Sequence, residues 1–164
     1  MSFRYRGLPR AAFESLFRMS DAELSAVGAR RMIADEKPGF PCRLSLADAE
    51  PGEPVLLLSF AHQNANSPYS ASGPIFVREV AREPYDSERV PPAFQAGRLL
   101  SARAYDAAGM MIDADVTESS EIDSLLAKFF AQNETDYVHV HYAKRGCFAA
   151  RVDRAQGLSR RPLL

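Results

Sequence analysis

Strict alternation of apolar and polar residues is cleanest near the end of the chain. Val138, Val140 and Tyr142 precede a Lys144-Arg145-Gly146 turn, and Phe148, Ala150 and Val152 follow it. In a hairpin closed by Ala143 and Cys147 these residues form one apolar face, and Tyr137, His139, His141, Cys147 and Arg151 share the other. A second hairpin turns at Ala107-Ala108-Gly109, closed by Asp106 and Met110. Its register sets Arg103 opposite Asp113 on one face and gathers Leu100, Ala102, Ala104, Ile112 and Val116 on the other. Between the hairpins Ile122, Leu125, Leu126, Phe129 and Phe130 recur at helical spacing, which predicts a helix near 120–131 capped by Ser120 and Asp123.

The first half is patterned less evenly. Pro9 followed by Phe13, Leu16 and Phe17 predicts one short helix, and the capping box of Ser20 and Glu23 opens another that buries Leu24 and Val27 and stops at Gly28. Arg31 to Asp35 is extended, Lys37 to Pro41 turns, Cys42 to Leu46 reads as a short strand, and Ala49-Glu50-Pro51-Gly52 turns again. The apolar run in Val55 to Phe60 predicts a central strand covered on both faces. His62 to Gly73 is polar and loop-like, Pro74 to Val80 is a strand, and Arg82 to Pro92 is an irregular loop. Together the elements predict an α+β fold. It has a mostly antiparallel sheet of six to eight strands, two short N-terminal helices and one longer helix near 120–131.

A length of 164 residues suits one core, placed here at 1–154 with a tail over 155–164. Only Cys42 and Cys147 are present and no secretory leader precedes them, so a cytoplasmic location is expected. Nothing approaches the ~20 apolar residues of a membrane span. The formal net charge of −1 gives no general electrostatic reason to bind nucleic acid. Arginine outnumbers lysine seventeen to three, which fits either forked recognition of carboxylates and phosphates or base composition. Oligomeric state is not legible.

Four segments carry a resemblance that spans nearly the whole domain. They are Phe3-Arg4-Tyr5-Arg6-Gly7-Leu8-Pro9, Pro38-Gly39-Phe40-Pro41-Cys42-Arg43, Gly73-Pro74-Ile75-Phe76-Val77-Arg78, and His139-Val140-His141 through Gly146-Cys147 to Arg151. In this combination and order the chain resembles the bacterial family known as domain of unknown function 1203. The resemblance implies no activity.

His139 and His141, two apart on a strand, point to one side, as metal ligands and acid–base pairs do. In the expected register Cys147 lies diagonal to His141, so that His141 can act as base to a Cys147 nucleophile. Arg151, opposite His139, can hold an anion. His62 with Gln63 and Asn64 offers donors and acceptors for a small ligand. Arg43 beside Cys42 completes the candidate binding residues, although neighbours on a strand face opposite ways. No metal is assigned, because zinc needs at least three protein ligands and the third would have to be Cys147 or a distant His62, Cys42 or carboxylate. Against all this, antiparallel sheets often have a solvated face where histidine and arginine are ordinary. No phosphate loop, dinucleotide fingerprint, nucleophile elbow or zinc ribbon occurs. Three readings remain open: a small-molecule binding domain with a pocket around His139, His141, Cys147 and Arg151, a Cys-His enzyme acting on a small anion, and a protein interaction module. No cofactor is indicated.

Overall fold

The computed structural model describes residues 2–155, so the expected tail lies, from residue 156, outside the described residues. Strands are numbered in chain order. Phe3–Arg6 (β1), Asp86–Ser87 (β5), Leu99–Tyr105 (β6), Met111–Glu118 (β7), Tyr137–Tyr142 (β8) and Phe148–Arg154 (β9) form an antiparallel sheet in the order β5-β1-β9-β8-β6-β7. Arg30–Ile33 (β2), Pro54–Gln63 (β3) and Ala71–Arg78 (β4) form a second sheet with β3 in the centre. The α+β expectation holds, with the strands divided between two sheets. No helix among the described residues is long and apolar enough to cross a membrane.

The helices follow their signals with local exceptions. Glu14–Phe17 (α1) follows a 3-10 turn at Arg10–Ala12, and Asp21–Ala26 (α2) has the expected Ser20–Glu23 capping box. Leu24 is buried, but Val27 is 59% exposed, beyond the end of the helix. Ile122–Ala131 (α3) buries Ile122, Leu126, Phe129 and Phe130 against the large sheet. Its expected Ser120–Asp123 cap is replaced by a 3-10 turn at Ser119–Glu121, and the Asp123 carboxylate instead accepts from the Tyr5 hydroxyl at 2.6 Å.

The face of the large sheet under α3 carries Leu100, Ala102, Ala104, Val138, Val140, Ala150 and Val152. On the opposite face, His139 and His141 are buried to 2% and 1% exposure, so that side is not solvated. The second sheet abuts it: Phe148 of β9 joins Leu56, Leu58, Ile75 and Val77 in one core cluster.

Both hairpins form, each with one bulge. In β6–β7, Tyr105 pairs with Met111 but Ala104 pairs with Asp113, leaving Ile112 as the extra residue. Arg103 therefore faces Ala114 and His139, the Arg103–Asp113 pair does not form, and the Asp113 carboxylate accepts from Gln132. Val116, expected among the apolar set, is 53% exposed opposite Ser101. In β8–β9 the pairs His139–Arg151, Val140–Ala150 and Val138–Val152 match the expected register. Beyond them His141 faces Phe148, with Ala149 bulged out. The turn closes between Tyr142 and Cys147 instead of the expected Ala143 and Cys147, and beside the bulge the Phe148 carbonyl accepts from Arg43 Nε at 2.6 Å. The slip sends Phe148 to the histidine face.

Cys42 to Leu46 does not form a strand. The backbone N–H groups of Leu44 and Ser45 donate to Cys42 Sγ at 3.4 Å, Leu46 takes φ of 49°, and only isolated bridges at Pro41 and Cys42 remain. The four-residue β1 has too short a pattern to be read alone. It is held by burial of Tyr5 on one side and by the ion pairs of Arg4 and Arg6 with Asp86, and of Arg6 with Asp153.

The hairpin turns offer a direct test of how tightly the loop after β3 is seated. Gly109 and Gly146 both have φ near the left-handed region, at 78° and 76°. A Cβ at Gly146 meets open space, whereas one at Gly109 falls 2.2 Å from the Ala65 methyl. Gly146→Ala should cost about 1 kcal/mol from backbone strain alone. Gly109→Ala should cost at least about twice that, read as the difference in urea midpoints; equal costs would mean that the 64–70 loop does not rest on this turn.

Candidate functional site

β3 continues past Phe60 to Gln63, so His62, expected in a loop, belongs to a strand of the second sheet. That extension carries its ring to the polar face of β8. One ring nitrogen from each of His62, His139 and His141 lies within 4.8 Å of the other two. The His62 ring centroid is 5.1 Å from that of His141 and 6.2 Å from that of His139. Phe148 organises the group: His62 stacks on it at 5.2 Å with an interplanar angle of 4°, and the rings of His139 and His141 meet it edge-on.

The hydrogen bonding of the cluster is unbalanced. His141 Nδ1 is 2.9 Å from the Gly146 carbonyl, which can only accept, so Nδ1 carries the proton and Nε2 the lone pair. That Nε2 is buried without a partner, as are Nδ1 of His62 and Nδ1 of His139. Among the described residues the Thr135 hydroxyl is the one other buried side-chain polar atom in that condition. A buried polar group left unpaired costs on the order of 1–3 kcal/mol, so their convergence calls for a physical account.

Protonation does not resolve it. Burial is the main cause that lowers the pKa of all three imidazoles, that of His141 to about 4 despite the opposing Gly146 hydrogen bond. Arg103 adds to the effect at His62 and His141, and Arg151 at His139. At neutral pH the cluster therefore presents uncharged rings with free lone pairs.

His62 and His139 open onto a cleft of about 590 Å³ between the sheets. Arg6, Gln63, Asp136, Tyr137 and Arg151 supply its polar wall, and Leu8, Phe60 and Phe148 are among its apolar residues. The Arg151 guanidinium sits 3.9 Å above the Tyr137 ring centroid and donates from Nε to Asp153 at 2.8 Å. Tyr137 and Gln63 exchange hydrogen bonds of 2.8 and 3.0 Å across the sheets.

Of the candidate residues, the fold thus brings together His62, His139, His141 and Arg151. It does not bring Cys147 to them. With the Ala149 bulge, Cys147 packs against the α3-side core, and its Sγ accepts from Arg43 Nη2 at 3.1 Å while His141 bonds Gly146. The expected Cys147–His141 pairing is therefore replaced by two separate contacts. Arg43 is buried as a brace between loop and hairpin, and Cys42 is buried in the second-sheet core, its Sγ taking N–H bonds from Leu44, Ser45 and Arg78. Neither lines the cleft. Sequence reasoning missed Phe148 and Tyr137 as site walls. Tyr137 had a usable signal, since it was already placed on the histidine face; Phe148 had none, because its side depends on the bulge.

A family model described as a protein of unknown function, DUF1203, matches residues 39–154. No curated protein and no solved structure matches the chain.

The lowered histidine pKa values fix the pH dependence of the metal-free protein. An unfolded histidine titrates near 6.5, so below that pH the unfolded chain binds protons that the folded cluster refuses, and stability falls as pH drops from about 6.5 through about 4. For His141 the loss between pH 7 and pH 5.5 is about 1 kcal/mol. Urea unfolding at both pH values should show it, and His141→Asn should flatten the slope; an unchanged slope would mean that His141 is not held neutral.

Proposed function

The chain belongs to the DUF1203 family, and from that premise we propose that it is a metal-dependent small-molecule binding domain. In this reading His62, His139 and His141 hold one divalent transition-metal ion at the inner end of the cleft. The observation that carries it is that one ring nitrogen of each of three imidazoles lies within 4.8 Å of the other two, in a cluster where every ring also has a buried nitrogen without a partner.

The donor set suits such an ion. Neutral imidazole is a good ligand for zinc and its neighbours, and three protein ligands with an open fourth position are the pattern of reactive rather than purely structural zinc sites. The Gly146 carbonyl fixes the His141 tautomer so that Nε2 carries the lone pair, the orienting role that outer hydrogen bonds play around metal ligands. Ligands about 2.0–2.1 Å from a tetrahedral zinc are about 3.4 Å apart, so binding would draw the rings inward from their present spacing. A bound ion would supply Lewis acidity toward an oxygen of the molecule in the cleft. The protein's own part is to keep the rings unprotonated, to wall the site with Phe148, and to offer Arg151 at the cleft side. Cys42 and Cys147 are both free, which supports a reducing cytoplasm as the setting.

Dialysis against zinc followed by elemental analysis should give about one equivalent per chain, with loss of most of it in His62→Ala, His139→Ala and His141→Ala. Excess zinc at about 100 times its Kd should raise Tm by about 5–10 °C over chelator-treated protein. Uptake below a tenth of an equivalent by folded wild type, or full uptake by the three variants, would sink the reading.

A further inference from the structure

We infer that the molecule taken by the cleft is a small organic carboxylate, its anionic head held by the outer edge of the Arg151 guanidinium beside the histidine cluster and its apolar body against Leu8, Phe60 and Phe148. This rests on the metal reading above and names what the site would bind.

The placement of charge carries it. Arg103, His139, Arg151 and Arg6 lie side by side on β6, β8, β9 and β1, one residue per strand in a single cross-strand row. Three guanidiniums thus flank one neutral ring. Arg6 Nε and Arg151 Nε share one carboxylate, Asp153, at 3.1 and 2.8 Å. Arg6 has a second partner in Asp86, and Arg103 has no carboxylate partner among the described residues. Among the cleft-lining residues Asp136 is the one carboxylate against the guanidiniums of Arg6 and Arg151.

Arg151 is also pre-set for recognition. Its Nε is fixed by Asp153 and its plane by the Tyr137 ring, while Nη1 and Nη2 have no hydrogen-bond partner within the described residues. Paired N–H groups held in one plane match the two oxygens of a carboxylate, and a guanidinium whose other contacts are already made loses little freedom on binding. A dication on three uncharged ligands adds positive charge next to this fork. The apolar walls favour a carboxylate with a hydrocarbon body over a compact inorganic anion.

Cobalt(II) in place of zinc reports both levels through its visible absorption. Adding cobalt should produce the intense bands of a low-coordinate site, and benzoate should then shift them saturably. Benzamide, of the same shape without charge, should shift them at least tenfold more weakly, and so should inorganic phosphate. Arg151→Gln should keep the cobalt bands and weaken benzoate at least tenfold; Arg151→Lys, retaining charge without the fork, should weaken it severalfold. Absence of cobalt bands in folded wild type would overturn the metal reading and this inference with it. Cobalt bands that benzoate leaves unmoved, that benzamide or phosphate moves as readily, or that respond to benzoate equally in Arg151→Gln, would overturn this inference alone.

Discussion

The Arg43 guanidinium is the largest of the fully buried side chains among the described residues, and the meeting of the two sheets depends on it. It reaches from the loop between β2 and β3 into the β8–β9 hairpin. There its Nε bonds the Phe148 carbonyl, Nη1 the Pro41 carbonyl and Nη2 the Cys147 sulfur, above the ring of Tyr142. A charge this deep is tolerable only if nearly every donor is used, because leaving it unsolvated and unpaired would cost several kcal/mol. These bonds tie the loop to the hairpin beside the bulge at Ala149, and the bulge turns the Phe148 ring to the other face, where it becomes the surface on which His62 stacks.

The histidine cluster sits at the opposite extreme of satisfaction. Each of the three Arg43 nitrogens finds an acceptor, whereas three buried imidazole nitrogens find no partner. Natural folds rarely leave polar atoms in this state, and they do so where another requirement outweighs local stability. Here the same burial that keeps water from the ring nitrogens also keeps protons from them, which in the proposed reading leaves them available to a metal ion. Low proton affinity and unspent lone pairs are one property of the burial, seen from two sides.

How much of this was legible depends on the range over which each feature is determined. Pairing of His139 with Arg151 followed from the alternation on either side of the turn, although the turn itself closes between Tyr142 and Cys147 rather than Ala143 and Cys147, and the Ala149 bulge restores the expected register. The α3 stripe and the Ser20–Glu23 cap were legible for the same reason. What failed were features set from afar. The Ala149 bulge lies where the hairpin meets Arg43, about a hundred residues earlier in the chain. The extra residue at Ile112 moved Asp113 out of register with Arg103, whose partner on the other side is His139. His62 looked like loop because its polar neighbours Gln63 and Asn64 mask a strand whose end is covered by the other sheet, where Gln63 pairs with Tyr137. His62 could therefore be named from the sequence only as one of several possible third ligands, because it sits on another sheet.

A site assembled in this way has a division of labour. β8 supplies His139 and His141 on a strand locked between two neighbours, β3 supplies His62 from the independent sheet, and the cleft lies along the seam between them. The spacing of His62 from the other rings therefore answers to the packing of one sheet on the other, and that packing is governed by the Phe148 ring and the Gln63–Tyr137 bonds. Drawing three nitrogens inward onto one ion would tighten the same seam, so ligand binding and sheet docking act on a single coordinate. The cationic row of Arg103, Arg151 and Arg6 belongs wholly to the large sheet. In the proposed reading the metal ligands would span the seam while the anion-recognising groups would stay on one side of it, so that closing the seam onto an ion would leave the row of guanidiniums on its own sheet.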